Sequence, residues 1–436
     1  MRRLRARTVL ALTAVGGVLA LCVTMTEGPP SPARAGASLA PEPSGSSTPA
    51  DPSSPPAGTC GVDAKLVPTC GVLWGAATGG HSGTSTASSL GAFEQETGRT
   101  QTVFHTYHRG TGTVFPTAEE IALADDTAHP RILFTNWKPA EASWAAIAAG
   151  DPKIDGFLDR VATNIKAKFP HRFFLTIHHE PENDVVATPG SGYTAADYAA
   201  MYRHVVQRLR GDGVTNAVYV MDYMAYPKWA MAPWHDDLYP GDDVVDWIAW
   251  DTYAYSTPGY GYGDFDEMVN RGGVPSDLVL DGLYPLVGWP GFYSWASARF
   301  PDKPLMLGEW GVWNGADRGH KAWFYRDVAA SIGHFPRLKA LVYFDTPAEK
   351  DSRVNNPAQA LGAYRDLGAL PIFQVGPTGP TGSPSPSPST SPSPSASPSG
   401  SPSPSTSPSG SVPPSSTPAP TGSSSPAPTS TFPRIP

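Results

Sequence analysis

Cysteine is scarce in this chain of 436 residues, which has three. No group of cysteines and histidines has the spacing of a zinc site, so we expect neither a metal in the site nor a cofactor, and the sequence leaves a bound calcium open. A Gly-rich phosphate loop is also missing after the first predicted strand, which argues against a dinucleotide-binding sheet. No Gly-x-Ser-x-Gly nucleophile elbow is present either, so the sequence gives no sign of a serine hydrolase.

Positive charge is in deficit. The formal net charge is -8, with an isoelectric point of about 5.7, and the central part of the chain has no Lys/Arg-rich stripe. Nucleic acid is therefore not an expected partner, and a neutral substrate fits better. Beyond the N-terminus no stretch is long and apolar enough to span a membrane, so no membrane contact is expected once the N-terminal segment is removed.

The N-terminal segment has the pattern of an export signal. Four arginines precede an apolar run from Val9 to Val23, and they are Arg2, Arg3, Arg5 and Arg7. Ala33-Arg34-Ala35 offers a cleavage site with small residues before Gly36. We therefore predict a signal peptide over residues 1–35 and a secreted protein. The alternative is a signal that stays uncleaved and anchors the chain.

Two cysteines remain after the signal. Cys22 lies within the apolar run, which leaves Cys60 and Cys70 as a pair in an exported chain. Disulfides form and persist outside the cell, so we predict that this pair forms one and pins the entry strand of the fold. The alternative is two free thiols.

Proline is unevenly distributed. Residues 36–59 and 374–436 are rich in Pro, Ser and Thr, and they cannot bury enough apolar surface to offset the entropy of ordering. We predict a linker over 36–59, a disordered tail over 374–436 and one folded domain over 60–373. The tail has Ser-Pro repeats typical of an extended, solvated spacer that could associate with a cell wall.

We expect the protein to be a monomer.

Short apolar runs alternate with helical stretches through the folded part. Eight runs predict strands, and they are Gly71–Ala77, Thr102–Tyr107, Arg131–Trp137, Phe173–His179, Ala217–Tyr223, Val244–Asp251, Leu305–Trp310 and Ala340–Thr346. Thr194–Arg210 and Asp317–Gly333 are among the predicted helices. Eight strand–helix repeats within about 310 residues are typical of an α/β fold, the (β/α)8 TIM barrel. An open doubly wound sheet is the alternative.

Two glutamates stand out at the ends of these strands. Glu180 follows the fourth apolar run and Glu309 lies in the seventh. The carboxyl ends of barrel strands converge on one face, where active sites are built, and strands four and seven lie across its mouth. A retaining glycosidase needs two carboxyl groups ~5–5.5 Å apart, one as acid/base and one as nucleophile. The pair predicts this chemistry, with Glu180 as acid/base and Glu309 as nucleophile.

The motifs around the pair resemble a known family. A glutamate pair on strands four and seven is shared by a large clan of retaining barrel glycosidases. Three motifs are similar to those of glycoside hydrolase family 26, the β-mannanase group. They are His179 before Glu180, the sixth-strand segment Tyr239–Tyr253 and the Gly-Glu-Trp-Gly step at Glu309. The opening segment from Cys60 to Gly80 is similar to the start of its secreted actinobacterial members.

The resemblance implies roles for further residues. Tyr253 would donate a hydrogen bond to Glu309 and orient it, Asp251 would support the sugar at the cleaved position, and His179 would bind a sugar hydroxyl or steady Glu180. Aromatic rings suit the C–H faces of sugars. Trp137, Trp310 and Phe344, at or beside strand ends, are therefore predicted to contact the substrate.

The chain departs from the family pattern at two places. The family continues from the acid/base into Met-Asn-Gly with a tryptophan nearby, whereas this chain has Pro181-Glu182-Asn183-Asp184. It has Tyr343-Phe344 where a strand-eight tryptophan is usual. The resemblance implies an endo-acting hydrolase of a β-linked polysaccharide, with β-1,4-mannan first. β-1,3-xylan and β-glucan remain alternatives, as does a barrel that binds carbohydrate without turnover.

Overall fold

Eight parallel strands close into one barrel in this computed structural model, which describes residues 60–80, 82–255, 263–272, 288–314, 319–348 and 350–377. The strands pair in sequence order, and β1 pairs with β8 to close the ring. They are β1 Leu73–Thr78, β2 Val103–Arg109, β3 Ile132–Lys138, β4 Phe173–Ile177, β5 Ala217–Met224, β6 Trp247–Tyr255, β7 Leu305–Trp313 and β8 Leu338–Asp345. The TIM barrel predicted from the sequence is confirmed.

Helices follow the strands and form the outer layer. Those of the described residues are α1 Thr86–Thr97, α2 Ala118–Asp125, α3 Trp144–Ala148, α4 Pro152–Lys168, α5 Ala195–Gly211, α6 Pro227–Ala230, α7 Phe265–Asn270, α8 Phe292–Arg299, α9 His320–Ser331 and α10 Ala360–Gly368. Short 3₁₀ turns cover Pro181–Asp184, His235–Leu238, Ile332–His334 and Pro371–Phe373. None of these helices is long and apolar enough to cross a bilayer. The predicted signal peptide and linker lie outside the described residues, as does the predicted tail from residue 378 onward. Residues 374–377 were also assigned to the tail, but Val375 packs into the apolar interior of the barrel.

Local sequence fixes where the longer helices begin. Thr194 accepts a hydrogen bond from the backbone N–H of Asp197, whose side chain accepts in return from Thr194, so α5 starts with a complete capping box. Asp151 caps α4 through the N–H groups of Lys153 and Ile154. Such caps satisfy backbone donors that a helix leaves unpaired at its N-terminus.

Two apolar layers hold the barrel together. The inner layer consists of strand side chains that point to the barrel axis, such as Phe134, Phe174 and Val220. The outer layer lies between strands and helices and contains large buried rings such as Trp137 and Trp310. Side chains of a strand alternate between the two layers, so a residue's position along its strand decides which layer it enters.

A short N-terminal segment closes the bottom of the barrel. Val62 and Leu66 pack into the inner layer, and Trp247, the first residue of β6, donates its indole N–H to the backbone oxygen of Lys65 at 2.7 Å. The predicted disulfide between Cys60 and Cys70 is present and closes this segment into a loop. The disulfide therefore holds the plug at the end of the barrel opposite the glutamates.

We expect the double variant Cys60→Ser/Cys70→Ser to lose about 2–3 kcal/mol of unfolding free energy, since the bond closes a loop between cysteines 10 residues apart. The midpoint of thermal unfolding should fall by roughly 5 °C or more, and calorimetry measures it. Activity at low temperature should stay at the wild-type level. An unchanged midpoint would show that the plug is held by packing alone.

Candidate active site

A β-bulge in β7 aims Glu309 into the barrel. Trp250 of β6 is opposite Leu307, but the next residue, Asp251, is opposite Glu309, so Gly308 is the extra residue. A bulge shifts the alternation of side chains by one position. Gly308 is also required to be small, because a Cβ there would lie 2.5 Å from a carboxyl oxygen of Asp222. Glu309 consequently faces the barrel axis and is 6% exposed.

Two phenols hold the carboxylate of Glu309. Tyr107, in β2, donates to Oε1 at 2.6 Å, and Tyr253, in β6, donates to Oε2. Burial raises the pKa of Glu309, whereas both phenol hydrogen bonds lower it because they stabilise the ionised form. Burial, with the charge of Glu309, raises the pKa of both tyrosines far above their usual value, so they remain donors.

Glu180 has the opposite environment. It lies just beyond β4, is half-buried, and receives one side-chain hydrogen bond, from the amide of Asn183 at 3.1 Å. Burial first, and then the charges of Glu309 and Glu182, raise its pKa to about 8. The described structure thus pairs a carboxyl that holds its proton near neutral pH with a second that receives two phenol hydrogen bonds.

The chain bends sharply at Glu180. His178 has φ 57° and Glu180 has φ 48°, so both adopt the left-handed conformation, which costs a non-glycine residue roughly 1–2 kcal/mol. The strand predicted over Phe173–His179 therefore ends earlier, at Ile177. Backbone strain of this kind persists where the surrounding contacts impose it, and it concentrates at functional sites.

The imidazole of His179 lies beside the carboxylate of Glu309, with Nε2 at 3.9 Å from Oε1. Its backbone N–H donates to the side-chain oxygen of Asn136 at 3.1 Å. Burial, and then the neighbouring His178 and Lys138, lower the pKa of His179 to about 3, so the ring is neutral. A neutral imidazole at this place can donate to or accept from a sugar hydroxyl.

Asp251 and Asp222 form a buried carboxyl pair below the mouth. Asp251 is 3% exposed and Asp222 is 1% exposed, and apart from the hydrogen bond that the two carboxyls make with each other when one is protonated, their side-chain oxygens have no partner among the described residues. Burial raises the pKa of both carboxyls; the charges of Glu309 and Glu180 raise that of Asp222 further, and the charges of Asp222 and Glu309 raise that of Asp251. Asp251 lies beside the nucleophile, where the family resemblance places a residue that supports the sugar.

Three side chains at the mouth of the barrel are close enough together to act as ligands of one cation. Oxygen and nitrogen atoms of His179, Asp251 and Glu309 lie within 4.8 Å of one another. Both oxygens of Glu309 already accept hydrogen bonds from tyrosine hydroxyls, and that arrangement suits a free nucleophile better than a metal ligand. The prediction that the site uses no metal stays a prediction.

An aromatic wall surrounds the nucleophile. Phe344, at the end of β8, is half-buried and lies 6.2 Å from Tyr107 and 6.3 Å from Tyr253 between ring centroids. Trp313, at the end of β7, stacks on Tyr253 at 4.7 Å, and the ammonium of Lys350 lies 4.0 Å from the centre of the Trp313 ring. Partly exposed rings at this height can pack against sugar faces.

Two of the predicted sugar contacts are wrong. Trp137 and Trp310 are both 0% exposed and belong to the outer apolar layer. Trp137 donates its indole N–H to the backbone oxygen of Gly110, and Trp310 packs edge-on against Tyr343 at 4.9 Å. Successive side chains of a strand point to opposite sides of the sheet. Both tryptophans are next to an inward-facing residue in the chain, so their own rings point outward, toward the helices.

Several residues of the site were not singled out from the sequence. Tyr107 and Asp222 lie in predicted strands and Trp313 follows another, but the sequence assigns a role to none of the three. Inward alternation along β2 and β5 would have favoured the first two. The bulge at Gly308, which sets the position of Glu309, leaves no pattern in a single sequence.

No protein-family model matches the chain. Among curated proteins it is similar to Endoglucanase H of Acetivibrio thermocellus, with 26% identity over 243 residues, which are 54% of this chain and 24% of that protein. The matched part of the chain therefore spans about a quarter of that relative's length. The activity of the whole relative is not transferred by such a match.

Solved structures of similar fold include two enzymes. One is a modular endo-β-1,4-mannanase from Cellulomonas fimi, with a TM-score of 0.46, 19% identity and coverage of 69% of this chain and 71% of that one. The other is a family 26 domain from an endo-β-mannanase/endo-β-glucanase of Prevotella bryantii, with a TM-score of 0.46, 13% identity and coverage of 72% and 92%. The likeness is distant. Both neighbours are family 26 enzymes.

Proposed function

We propose that the chain is a retaining, endo-acting hydrolase of a β-linked polysaccharide, with Glu309 as nucleophile and Glu180 as acid/base. The observation that carries this proposal is the difference between the two carboxyl environments. Glu309 receives hydrogen bonds from Tyr107 and Tyr253, while Glu180 is held with a pKa of about 8. Carboxyl groups whose environments differ in this way divide the acid and nucleophile roles between them.

In the first step the ionised Glu309 attacks the anomeric carbon, and Glu180 gives its proton to the departing glycosidic oxygen. Esterification removes the charge of Glu309, which is one of the causes of the raised pKa of Glu180. The pKa of Glu180 therefore falls in the intermediate, and the group can take a proton from water. That water attacks from the face the leaving group occupied, which restores the original anomeric configuration and frees both carboxyls.

Among substrates we propose β-1,4-mannan. The sequence motifs at Glu180 and Glu309 support it through their resemblance to the β-mannanase group. A β-glucan is the second candidate, and the similarity in sequence to Endoglucanase H favours it. Asp251 and His179, beside the nucleophile, are the groups that would meet the sugar hydroxyls whose orientation separates mannose from glucose.

A barrel that binds sugar without turnover is the competing class of function. Burial of the Glu180 carboxyl at a left-handed residue costs free energy, and binding alone would gain little from it. Two phenols that donate to Glu309 also stabilise a charge that a simple binding site could replace by a neutral amide. Both features favour catalysis.

The deciding experiment offers the purified protein mannan, glucomannan, β-1,3-xylan, β-1,4-xylan and mixed-linkage β-glucan, and follows products by chromatography and proton NMR. We expect oligosaccharides from mannan whose new reducing ends first appear in the β configuration. Products with inverted configuration would overturn the retaining mechanism. Binding of one polymer with no new reducing ends would establish the non-catalytic function instead.

We also propose that the protein is secreted as a monomer and that the Pro/Ser-rich tail spaces the barrel from a cell-wall surface. The Cys60–Cys70 disulfide supports the extracellular location, because such bonds persist in oxidising compartments.

A further inference from the structure

The segment that carries Glu180 is tied down by residues that take no part in the reaction described above. Directly after Glu180 the chain forms the 3₁₀ turn Pro181–Asp184. Asp184, at the end of this turn, accepts hydrogen bonds from His178 at 2.8 Å and from Lys138 in β3. The carboxylate of Asp184 therefore links His178, two positions before Glu180, to the neighbouring strand β3.

His178 is fixed from its other side as well. Its Nδ1 lies 3.1 Å from the indole nitrogen of Trp144, at the start of α3. An indole N–H can only donate, so Nδ1 accepts, and the ring proton is on Nε2, where it is donated to Asp184. The side chain of His178 is 3% exposed, and burial lowers its pKa to about 4, so this one tautomer bridges Trp144 and Asp184 at neutral pH.

The backbone of the segment would not hold this conformation unaided. His178 and Glu180 are both left-handed, a conformation that side chains with a Cβ avoid. Two backbone hydrogen bonds support the segment: the N–H of His178 donates to the backbone oxygen of Trp137, and the N–H of Glu180 donates to the backbone oxygen of Asp222. They fix the main chain of the strand end, whereas Asp184 ties the turn that follows Glu180 back to it.

We propose that Asp184 is a positioning residue for Glu180, holding the left-handed turn that places the Glu180 carboxyl against the leaving oxygen by accepting hydrogen bonds from His178 and Lys138. The inference rests on the proposed function. It gives a role to the Pro-Glu-Asn-Asp segment, the place where this chain departs from the sequence of the family it resembles. Asp184 acts through Glu180 and touches no reacting atom.

The test separates proton donation from every other step. A 2,4-dinitrophenyl leaving group departs without protonation, whereas a phenyl group requires it. We would measure kcat/KM for both aryl glycosides of the disaccharide that the wild type releases. In Asp184→Ala we expect a loss of ~10²-fold on the phenyl glycoside, since a misplaced catalytic group costs about that much. The dinitrophenyl glycoside should change by less than about threefold.

A matched control is available in Asp155, in α4. Like Asp184, it accepts hydrogen bonds from a histidine and a cationic side chain: His204 at 2.7 Å and Arg208 at 3.0 Å. These contacts join α4 to α5, away from the mouth of the barrel. Asp155→Ala should affect unfolding temperature without changing the ratio of the two aryl glycosides. If Asp184→Ala does not fold, Lys138→Met removes one of the two donors to Asp184 and should change the same ratio by a smaller factor.

A double variant decides whether the effect passes through Glu180. In a Glu180→Ala background, Asp184→Ala should cause no further loss on the phenyl glycoside, because the group it positions is gone. Equal losses on both aryl glycosides, or a full additional loss in the double variant, would overturn the positioning role. A wild-type protein that hydrolyses neither aryl glycosides nor any polysaccharide would instead overturn the proposed function.

Discussion

Glu309→Ala should lower kcat by roughly 10⁴–10⁶-fold, the range seen when a catalytic nucleophile is removed. Added azide should restore turnover, because the truncation leaves room beside Tyr107 and Tyr253 for a small anion. Azide would attack the anomeric carbon from the face that Glu309 occupied and displace the leaving group. The product should therefore be a glycosyl azide with inverted anomeric configuration, identified by the one-bond carbon–hydrogen NMR coupling at its anomeric carbon.

Glu309→Gln is the matched control for this rescue. Glutamine keeps the volume of the side chain and removes the charge, so activity should be lost and azide should have no space to act. An azide product of retained configuration from Glu309→Ala would assign this residue to the acid/base role. Residual activity within about tenfold of the wild type would remove it from the chemistry altogether.

The barrel itself was predictable because its pattern is repeated. All eight predicted strands form, and the helix predicted over Thr194–Arg210 is found one residue later as α5. Apolar strand cores and capping residues are local signals, and eight repeats leave few folds to choose from. The same repetition placed Glu180 and Glu309 on the fourth and seventh units.

What the sequence did not predict depends on the direction of individual side chains. Trp310 and Glu309 are neighbours in the chain, yet one is buried against helices and the other faces the barrel axis. The bulge at Gly308 determines which of the two side chains faces the axis. Position 308 must be a glycine because the carboxyl of Asp222, in β5, occupies the space that a Cβ would need. Contacts between distant strands of this kind leave no periodic signal in the sequence.

Removal of the acid/base should give a different signature from removal of the nucleophile. In Glu180→Ala, kcat/KM on the polysaccharide should fall by ~10²–10⁴-fold, the usual contribution of general acid catalysis. A 2,4-dinitrophenyl glycoside should still transfer its sugar to Glu309, because that leaving group needs no proton. The second step then lacks its base, so stopped-flow traces should show a burst of dinitrophenolate followed by slow turnover. Azide should relieve the slow step and give a product of retained configuration.

The pH profile provides an independent check on the same group. Glu180 must carry a proton to act as acid, and burial with the charge of Glu309 raises its pKa to about 8. Wild-type kcat/KM on unactivated substrates should therefore fall tenfold per pH unit above that value, as the Glu180 carboxyl ionises, and should fall at acidic pH as well, where Glu309 takes up a proton and can no longer attack. In Glu180→Ala this alkaline limb should disappear. If the limb survives unchanged in the variant, another group donates the proton, and the buried carboxyls of Asp222 and Asp251 are the next to replace.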